Sequence, residues 1–319
     1  MTRRVLVTGA NGFVGQALCR ALLERGDDVT GLVRRSHNAP VGVREWVFDG
    51  PHFDGLDTSW PEDMCCDTVI HLAARVHVMH DDSENPLAAF RATNVDGSLR
   101  VALAAKQAGA RRFVFVSSIK AVAEQDNGRP LRESDIPAPQ DPYGVSKLEA
   151  ERALMAYGLK SGLEIVIVRP PLVYGPNVRA NFLQLMRAVV AGIPLPLGSV
   201  SSRRSMVFVD NLADALVHCS TDSRAAGQIF HVSDGRDLTV AELVRELSRQ
   251  LHVPIRLLPV PVSLLRLVGG IIGRSAQVDR LIGELRLDTT QVRQTLGWYP
   301  PHTVEQALLE TAIWYRATH

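Results

Sequence analysis

The sequence has few cysteines, no excess of one charge and no long apolar run. Its four cysteines, at positions 19, 65, 66 and 219, lack metal-ligand spacing, and the adjacent Cys65 and Cys66 suit a structural disulfide poorly. Thirty-five Lys and Arg against thirty-four Asp and Glu leave a formal net charge of +1, so no global field attracts nucleic acid or an acidic membrane. We therefore expect no metal site, no nucleic-acid partner and a reducing cytoplasmic location.

The most apolar stretch, residues 257–272, is shorter than the ~20 residues that span a bilayer, and it contains Pro259, Pro261 and Arg266. We expect a packed helix there, with a monotopic membrane contact as the alternative, and no integral membrane association. The first residues, Met-Thr-Arg-Arg, lead into a segment that glycines interrupt, which is not the continuous apolar core of a signal peptide. Export is not expected.

The composition is that of a globular chain, with 46% hydrophobic and 22% charged residues. Its 319 residues exceed the roughly 250–300 at which one core usually stops growing, which predicts a main domain and a smaller one. Short β-branched runs alternate with helical patterns, and the runs are residues 5–8, 29–33, 46–48, 68–72, 113–117 and 165–168. This pattern predicts the α/β class: a doubly wound parallel sheet of Rossmann type that binds its ligand at the carboxyl ends of the strands.

The alternation of strand and helix breaks after Arg169, where prolines become frequent, and strand character returns at residues 206–209 and 229–232. We expect residues 1–170 and 206–233 to form the dinucleotide-binding domain. The remaining ranges would form a smaller, discontinuous C-terminal domain that binds the substrate; they are residues 171–205 and 234–319.

A glycine-rich turn follows the first predicted strand. Gly9 permits a tight turn, Gly12 lets the backbone approach a pyrophosphate, and Gly15 allows close packing of the following helix on the strand. The helix N-terminus would then face negative charge. The turn predicts a dinucleotide site, although the same glycines also suit a strand-to-helix turn without a ligand.

The charges around the second predicted strand bear on the choice of cofactor. Asp27 and Asp28 precede that strand, whereas Arg34 and Arg35 follow it, at the end where an acid would select NAD. The arginines favour a 2′-phosphate, hence NADP(H), with NAD(H) as the alternative. Asp49, beyond the third strand, suits either a hydrogen bond to the adenine or an ordinary turn.

A second set of residues is suited to proton transfer. Tyr143 and Lys147 are four residues apart on a predicted helix that Asp141 caps, so the ammonium can approach the phenol and favour its ionised form. Ser117 and Ser118 end a strand at the ligand edge, where Ser118 can donate to a carbonyl oxygen. Each motif is weak alone, but their order along the chain is specific.

The chain resembles the extended short-chain dehydrogenase/reductase family, in the NAD-dependent epimerase/dehydratase group that acts on nucleotide sugars. The resemblance rests on residues 8–15 (TGANGFVG), 71–74 (HLAA), 94–97 (NVDG), 117–118 (SS), 143–147 (YGVSK), 169–176 (RPPLVYGP) and 209–213 (VDNLA). It implies that Tyr143 is the acid/base, that Lys147 binds the nicotinamide ribose and that Ser118 polarises the C4 oxygen of the sugar.

The resemblance also implies two sets of binding residues. The cofactor positions are Gly9, Asn11, Gly12, Phe13, Val14, Gly15, Leu72, Ala73, Ala74, Asn94, Ser117, Leu172 and Val173. The positions for a UDP-sugar are Asn177, Asn181 and Arg204, the last as a diphosphate clamp, with Arg286 as a weaker second clamp. Helices around residues 94–108 and 143–161 would form a homodimer contact.

Within the family, residues 198–207 and 280–301 resemble bacterial UDP-4-keto-6-deoxy-N-acetylhexosamine 4-reductases of surface-polysaccharide synthesis. Ala121-Val-Ala123 departs from the family's Val-Tyr-Gly, and Ile119 and Lys120 replace the Asp-Glu pair of dehydratases, so dehydration is disfavoured. The leading hypothesis is reduction of a 4-keto sugar by NADPH. The alternatives are a 4-epimerase with tightly held NAD and a non-catalytic dinucleotide sensor, against which the complete Ser118, Tyr143 and Lys147 set argues.

Overall fold

A seven-stranded parallel sheet forms the centre of the computed structural model, which describes residues 2–76, 85–273 and 275–319. The strands are β1 Arg4–Thr8, β2 Asp28–Val33, β3 Arg44–Val47, β4 Thr68–His71, β5 Arg112–Val116, β6 Glu164–Arg169, β7 Leu172–Tyr174, β8 Arg203–Arg204, β9 Met206–Phe208, β10 Ile229–His231 and β11 Leu238–Thr239. The sheet order is β3-β2-β1-β4-β5-β6-β10. The chain reverses its winding direction at β1, and the predicted doubly wound Rossmann fold is confirmed.

Helices cover both faces of the sheet. They are α1 Phe13–Glu24, α2 Pro86–Arg91, α3 Ser98–Gln107, α4 Pro142–Ser161, α5 Ala180–Val190, α6 Val209–Thr221, α7 Val240–Leu251, α8 Val262–Ile271, α9 Ser275–Ile282, α10 Thr290–Leu296 and α11 Val304–Thr318. A π-helical turn, Ala92–Gly97, joins α2 to α3. Successive residues of β1 belong to different cores: Val5 and Val7 pack with α1 and α6, and Leu6 packs with α3 and α4.

The six predicted strands of the first half are present, with ends that differ by at most two residues. Apart from Val47 of the edge strand β3, which is 46% exposed, and the half-buried Val116, their apolar residues are buried on both faces, which is why apolar runs signalled these strands. In the second half, β10 joins the main sheet beside β6, whereas β9 pairs with β7 in a separate two-stranded sheet. The division into two domains stays a prediction.

The apolar stretch at 257–272 differs from its prediction. The helix begins only at Val262, after Pro259 and Pro261, and Gly269 is its one buried residue. Leu267 and Ile271 are 60% and 77% exposed, so the expectation of a packed helix is wrong for these side chains. Across the described residues, no helix combines the length and apolar character that crossing a membrane requires.

Candidate active site

The glycine turn lies where β1 ends, at the carboxyl edge of the sheet. Gly9 has φ of +70°, and its carbonyl oxygen accepts a hydrogen bond from the N–H of Gly12 at 2.9 Å. A Cβ on Gly15 would lie 2.1 Å from that same carbonyl oxygen, so a larger residue cannot fit there. Gly12 caps α1 without a side-chain bond, and the first turn holds no acid, which leaves the helix N-terminus suited to a phosphate.

The segment that follows β4 forms the neighbouring wall. Thr8 Oγ1 accepts a hydrogen bond from the N–H of Ala73 at 3.2 Å. The Asn94 side chain accepts from the N–H of Arg75 at 2.8 Å and donates to the Arg75 carbonyl oxygen at 3.1 Å and to Ser146 Oγ at 2.9 Å. Both amide hydrogens of Asn94 are therefore used, and Asn94 can act on a ligand by positioning the backbone of this segment.

The end of β2 presents arginines rather than an acid. Arg34 and Arg35 follow the strand and are exposed. Glu45 of β3 accepts hydrogen bonds from the backbone N–H groups of residues 37, 38 and 39 at 2.9, 2.9 and 3.1 Å, and these bonds lower its pKa. Sequence reasoning missed Glu45, because nothing local reveals that its carboxylate orders the loop before it. Asp49 is exposed beyond β3.

Ser118, Tyr143 and Lys147 converge where β5 ends and α4 begins. The Ser118 side chain lies close enough to Tyr143 to lower the pKa of the phenol, and Asp141 caps α4 by accepting from the N–H of Gly144 at 2.7 Å, as predicted. Lys147 Nζ donates to the Val116 carbonyl oxygen at 2.8 Å. The arrangement places one hydroxyl beside the phenol and an ammonium deeper in the same site.

Burial dominates the proton affinities of this group. It raises the pKa of Tyr143 to about 12, reinforced by the charge of Asp141 and opposed by the neighbouring Ser118 hydroxyl. It lowers the pKa of Lys147 to about 7, against the charge of Glu151. The spacing predicts that Lys147 favours the ionised phenol, but its ammonium lies 6.0 Å from the Tyr143 ring centre and donates to the Val116 carbonyl oxygen, so burial has the larger effect.

A buried ion pair joins α4 to the end of β6. Arg169 at the end of β6 donates to both carboxylate oxygens of Glu151, at 2.9 and 2.6 Å, and both side chains are 3% exposed. Glu151 follows Tyr143 and Lys147 at four-residue intervals, so all three lie on one face of α4. That spacing is the signal by which the sequence could have revealed Glu151.

His71 is a second buried group that sequence reasoning did not single out for chemistry. Its Nδ1 lies 2.8 Å from Thr8 Oγ1 and its Nε2 lies 3.1 Å from Ser98 Oγ. Burial lowers its pKa to about 3, so the imidazole is neutral at physiological pH. His71 on β4 is therefore within hydrogen-bond distance of both β1 and α3.

The residues of this edge fit a dinucleotide. The Ser117 hydroxyl is buried and has no hydrogen-bond partner in the described part of the chain. This buried polar atom lies at the same edge of the sheet as an uncapped helix N-terminus and a close-packed glycine turn. A ligand with phosphate and ribose groups would satisfy such groups. Leu172, which is 52% exposed, and the half-buried Val173 lie on β7.

The predicted substrate residues occupy the second half of the chain. Arg204 is half-buried, and its Nη1 donates to the Gly283 carbonyl oxygen at 3.1 Å. Burial lowers the pKa of Arg204, while the charges of Glu124 and Asp126 raise it. Arg286 is ion-paired with Asp126, its Nε and Nη2 lying 2.9 and 3.0 Å from the two carboxylate oxygens, so its charge is already compensated.

The two predicted asparagines differ from these arginines in their surroundings. Asn177 has φ of 72° and is exposed in the turn after β7, and Asn181 is exposed in the first turn of α5. The structure therefore pairs Arg286 with Asp126, directs Arg204 to the Gly283 carbonyl oxygen and presents the asparagines on the surface.

The strand order, the glycine turn and the hydroxyl pair define a Rossmann-fold protein of the dinucleotide-binding class. A family model described as the NAD dependent epimerase/dehydratase family matches residues 5–233. The chain belongs to this family, and the resemblance seen in its motifs is confirmed.

Relatives and solved structures agree with this assignment. The chain is 42% identical over 316 residues to a UDP-glucose 4-epimerase of Vibrio cholerae, covering 98% of this chain and 95% of the relative. It is 27% identical over 336 residues to the N-acetyl-alpha-D-glucosaminyl-diphospho-ditrans,octacis-undecaprenol 4-epimerase of Escherichia coli O157:H7, covering 100% and 97%. The Thermotoga maritima UDP-glucose 4-epimerase solved with UDP-glucose shares the fold, with TM-score 0.80, 24% identity and 99% of each chain covered.

Proposed function

We propose that this protein exchanges a hydride and a proton at C4 of a UDP-linked hexose. The observation that carries the proposal is the neighbouring Ser118 and Tyr143 side chains at the edge of the sheet where the glycine turn lies. A phenol and a hydroxyl that meet at one point suit a carbonyl or alcohol oxygen that gains or loses a proton. The Vibrio cholerae relative is a UDP-glucose 4-epimerase, which supports a sugar nucleotide as the substrate.

Each residue then has a defined task. Tyr143 gives the proton to the C4 oxygen or removes it, and the Ser118 hydroxyl donates to the same oxygen as negative charge develops there. Lys147 would hold the nicotinamide ribose. The glycine turn and Ser117 would hold the remainder of the dinucleotide. When bound, the dinucleotide accepts or supplies the hydride.

Two overall reactions use this chemistry. The 42% identity to a 4-epimerase supports epimerisation, in which a hydride leaves C4 and returns to the opposite face. Arg34 and Arg35 at the end of β2 support reduction of a 4-keto-6-deoxyhexosamine nucleotide for polysaccharide synthesis, because NADPH is consumed in that reaction. We propose epimerisation first and 4-ketoreduction as the second candidate.

One experiment separates the two reactions. The purified protein is given UDP-glucose and UDP-N-acetylglucosamine without added cofactor, and in parallel a UDP-4-keto-6-deoxyhexosamine with NADPH. Conversion of the first pair to their C4 epimers, with NAD retained on the protein, supports epimerisation. Oxidation of NADPH with only the keto sugar supports reduction, and inactivity toward all three substrates contradicts both.

The cofactor preference gives a prediction at Arg34. Replacing Arg34 by aspartate should shift the ratio of the NADP and NAD affinities toward NAD, because a partner of the 2′-phosphate becomes a partner of the ribose hydroxyl. Fluorescence titration with both dinucleotides measures the ratio. Arg111→Asp makes the same charge change at the opposite end of the sheet and should leave the ratio unchanged. An unaltered ratio in Arg34→Asp would mean that Arg34 does not contact the 2′-phosphate.

The diphosphate clamp gives a second prediction. Arg204→Ala should weaken UDP-sugar binding by about 2–5 kcal/mol, the usual cost of truncating one partner of a buried charge pair, and should leave dinucleotide affinity intact. Calorimetric titration with UDP measures the effect. Arg203 is the matched control, since it is the exposed neighbour on the same strand and donates to the Asp237 carbonyl oxygen. Equal UDP affinity in Arg204→Ala and the wild type would remove Arg204 from the clamp.

We further propose a cytoplasmic homodimer that pairs α3 and α4 between two copies. Leu103 on α3 and Leu159 on α4 are 42% and 88% exposed, so these helices leave apolar surface uncovered within one chain. A monomer by light scattering at micromolar concentration would contradict the dimer.

We also propose that residues 171–205 and 234–319 act as the substrate-binding domain.

A further inference from the structure

Lys120 connects the two segments that carry the catalytic hydroxyls. It lies two residues after Ser118 in a single 3-10 turn, Ile119–Ala121. Its Nζ is 2.6 Å from Asp141 Oδ2 and 2.9 Å from Glu124 Oε1, and the three side chains are 29%, 16% and 12% exposed. Asp141 uses its other oxygen to cap the helix on which Tyr143 lies.

The backbone reinforces this connection. A Cβ on Gly144 would lie 2.4 Å from the Lys120 carbonyl oxygen, so the turn after Ser118 packs directly against the first turn of α4. The N–H of Ile119 donates to the Pro170 carbonyl oxygen at 3.0 Å, which anchors the other side of the turn. Movement of Lys120 would therefore change the position of Ser118 relative to Tyr143.

We propose that Lys120 is a positioning residue, whose ammonium joins the Ser118 turn to the Tyr143 helix and compensates the carboxylates of Asp141 and Glu124. The inference rests on the proposed function, because it takes Tyr143 as the group that transfers the proton. It also gives a task to the position at which the chain departs from the Asp-Glu pair of dehydratases. A lysine there cannot serve as their second acid, but it can control the charge around Tyr143.

The charges that face Tyr143 come from three directions. Asp141 lies on its own helix and raises the pKa of the phenol, and Lys120 and Glu124 approach from the Ser118 turn. Lys147 lies 6.0 Å from the ring centre, with Glu151 one turn further along α4. On the α2 side Phe90 packs edge-on against the Tyr143 ring, and the Arg75 guanidinium lies 5.6 Å from the centre of the Phe90 ring.

Lys120 holds the charged form of Asp141 in place. Burial alone would raise the pKa of Asp141, but the hydrogen bonds from Lys120 and Gly144 bring it below its usual range. Without Lys120, the negative charge of Asp141 acts on the phenol uncompensated, and the pKa of Tyr143 rises further. Removing the charge of Asp141 as well cancels that rise.

The test compares three variants of the full chain: Lys120→Met, Lys120→Arg and the double variant Lys120→Met with Asp141→Asn. Asparagine caps a helix as well as aspartate does, so the double variant keeps α4 intact. Lys120→Met should lower kcat at pH 7 by about tenfold, which is one unit of tyrosine pKa, with dinucleotide affinity unchanged. The limb of the pH profile that reports ionised tyrosine should move to higher pH. Lys120→Arg should retain the wild-type profile, and the double variant should return the limb toward it.

A wild-type pH profile in Lys120→Met, or a limb that the double variant does not restore, would overturn the proposal. Tyrosinate absorbance, measured as the difference between each variant and its Tyr143→Phe counterpart, reports the ionisation of Tyr143 without turnover. The tyrosinate absorbance should appear at lower pH in the wild type than in Lys120→Met, and the double variant should titrate close to the wild type. The same titration midpoint in Lys120→Met and the wild type would overturn the role of Lys120. If the midpoints differ as expected while no sugar nucleotide is converted, the proposed function fails and the role of Lys120 stands.

Discussion

Tyr143→Phe should lower turnover at C4 by about 10²–10⁴-fold, the usual contribution of a positioned acid or base. The phenylalanine ring keeps the edge-on contact with Phe90, whose ring centre lies 6.0 Å away, so only the hydroxyl with its transferable proton is lost. Dinucleotide affinity should stay close to that of the wild type. Steady-state kinetics and a fluorescence titration of the dinucleotide measure the two effects.

Tyr157 supplies the matched control for this substitution. It lies on the same helix and packs against the core on the α3 side, away from Ser118. Tyr157→Phe should leave turnover nearly unchanged, which shows that loss of a phenolic hydroxyl from α4 is harmless in itself. Equal turnover in Tyr143→Phe and the wild type would exclude Tyr143 as the acid/base.

Arg169→Met should destabilise the fold by about 3–5 kcal/mol, because it leaves the Glu151 carboxylate buried without its partner. Both oxygens of Glu151 accept from Arg169, and neither side chain has appreciable contact with solvent. Equilibrium unfolding in urea gives the free energy of unfolding. Replacing both partners, as Arg169→Met with Glu151→Leu, should recover much of the loss, since well-packed apolar pairs substitute for buried ion pairs.

The Arg91 and Glu149 pair on the neighbouring surface is the control for burial. Its closest N–O distance is also 2.6 Å, but its side chains are 48% and 32% exposed. Arg91→Met should therefore cost less than about 1 kcal/mol, as is typical of solvated ion pairs. Similar losses for Arg91→Met and Arg169→Met would mean that the buried carboxylate is tolerated without its partner.

The parts of this protein that could be predicted from the sequence are those encoded by neighbouring residues. The alternation of apolar strands and helices, the glycine turn before α1 and the Asp141 cap of α4 all depend on residues within a few positions of one another. The spacing of Tyr143 and Lys147 on one helix face is equally local. Helix and strand periodicity and capping geometry do not depend on the rest of the fold, so these local patterns can be interpreted without it.

Only the tertiary structure decided which side chains form hydrogen bonds and ion pairs with residues that are distant in the sequence. It directs the Asn94 amide to the backbone of Arg75 and compensates Arg286 with Asp126. It buries Lys147, so that the expected influence of the ammonium on the phenol gives way to desolvation. Lys120 was only a departure from a motif until the fold placed it against Asp141, 21 residues away. Hydropathy and spacing describe single elements, whereas charge compensation and proton affinity depend on which elements meet and on how much water remains between them.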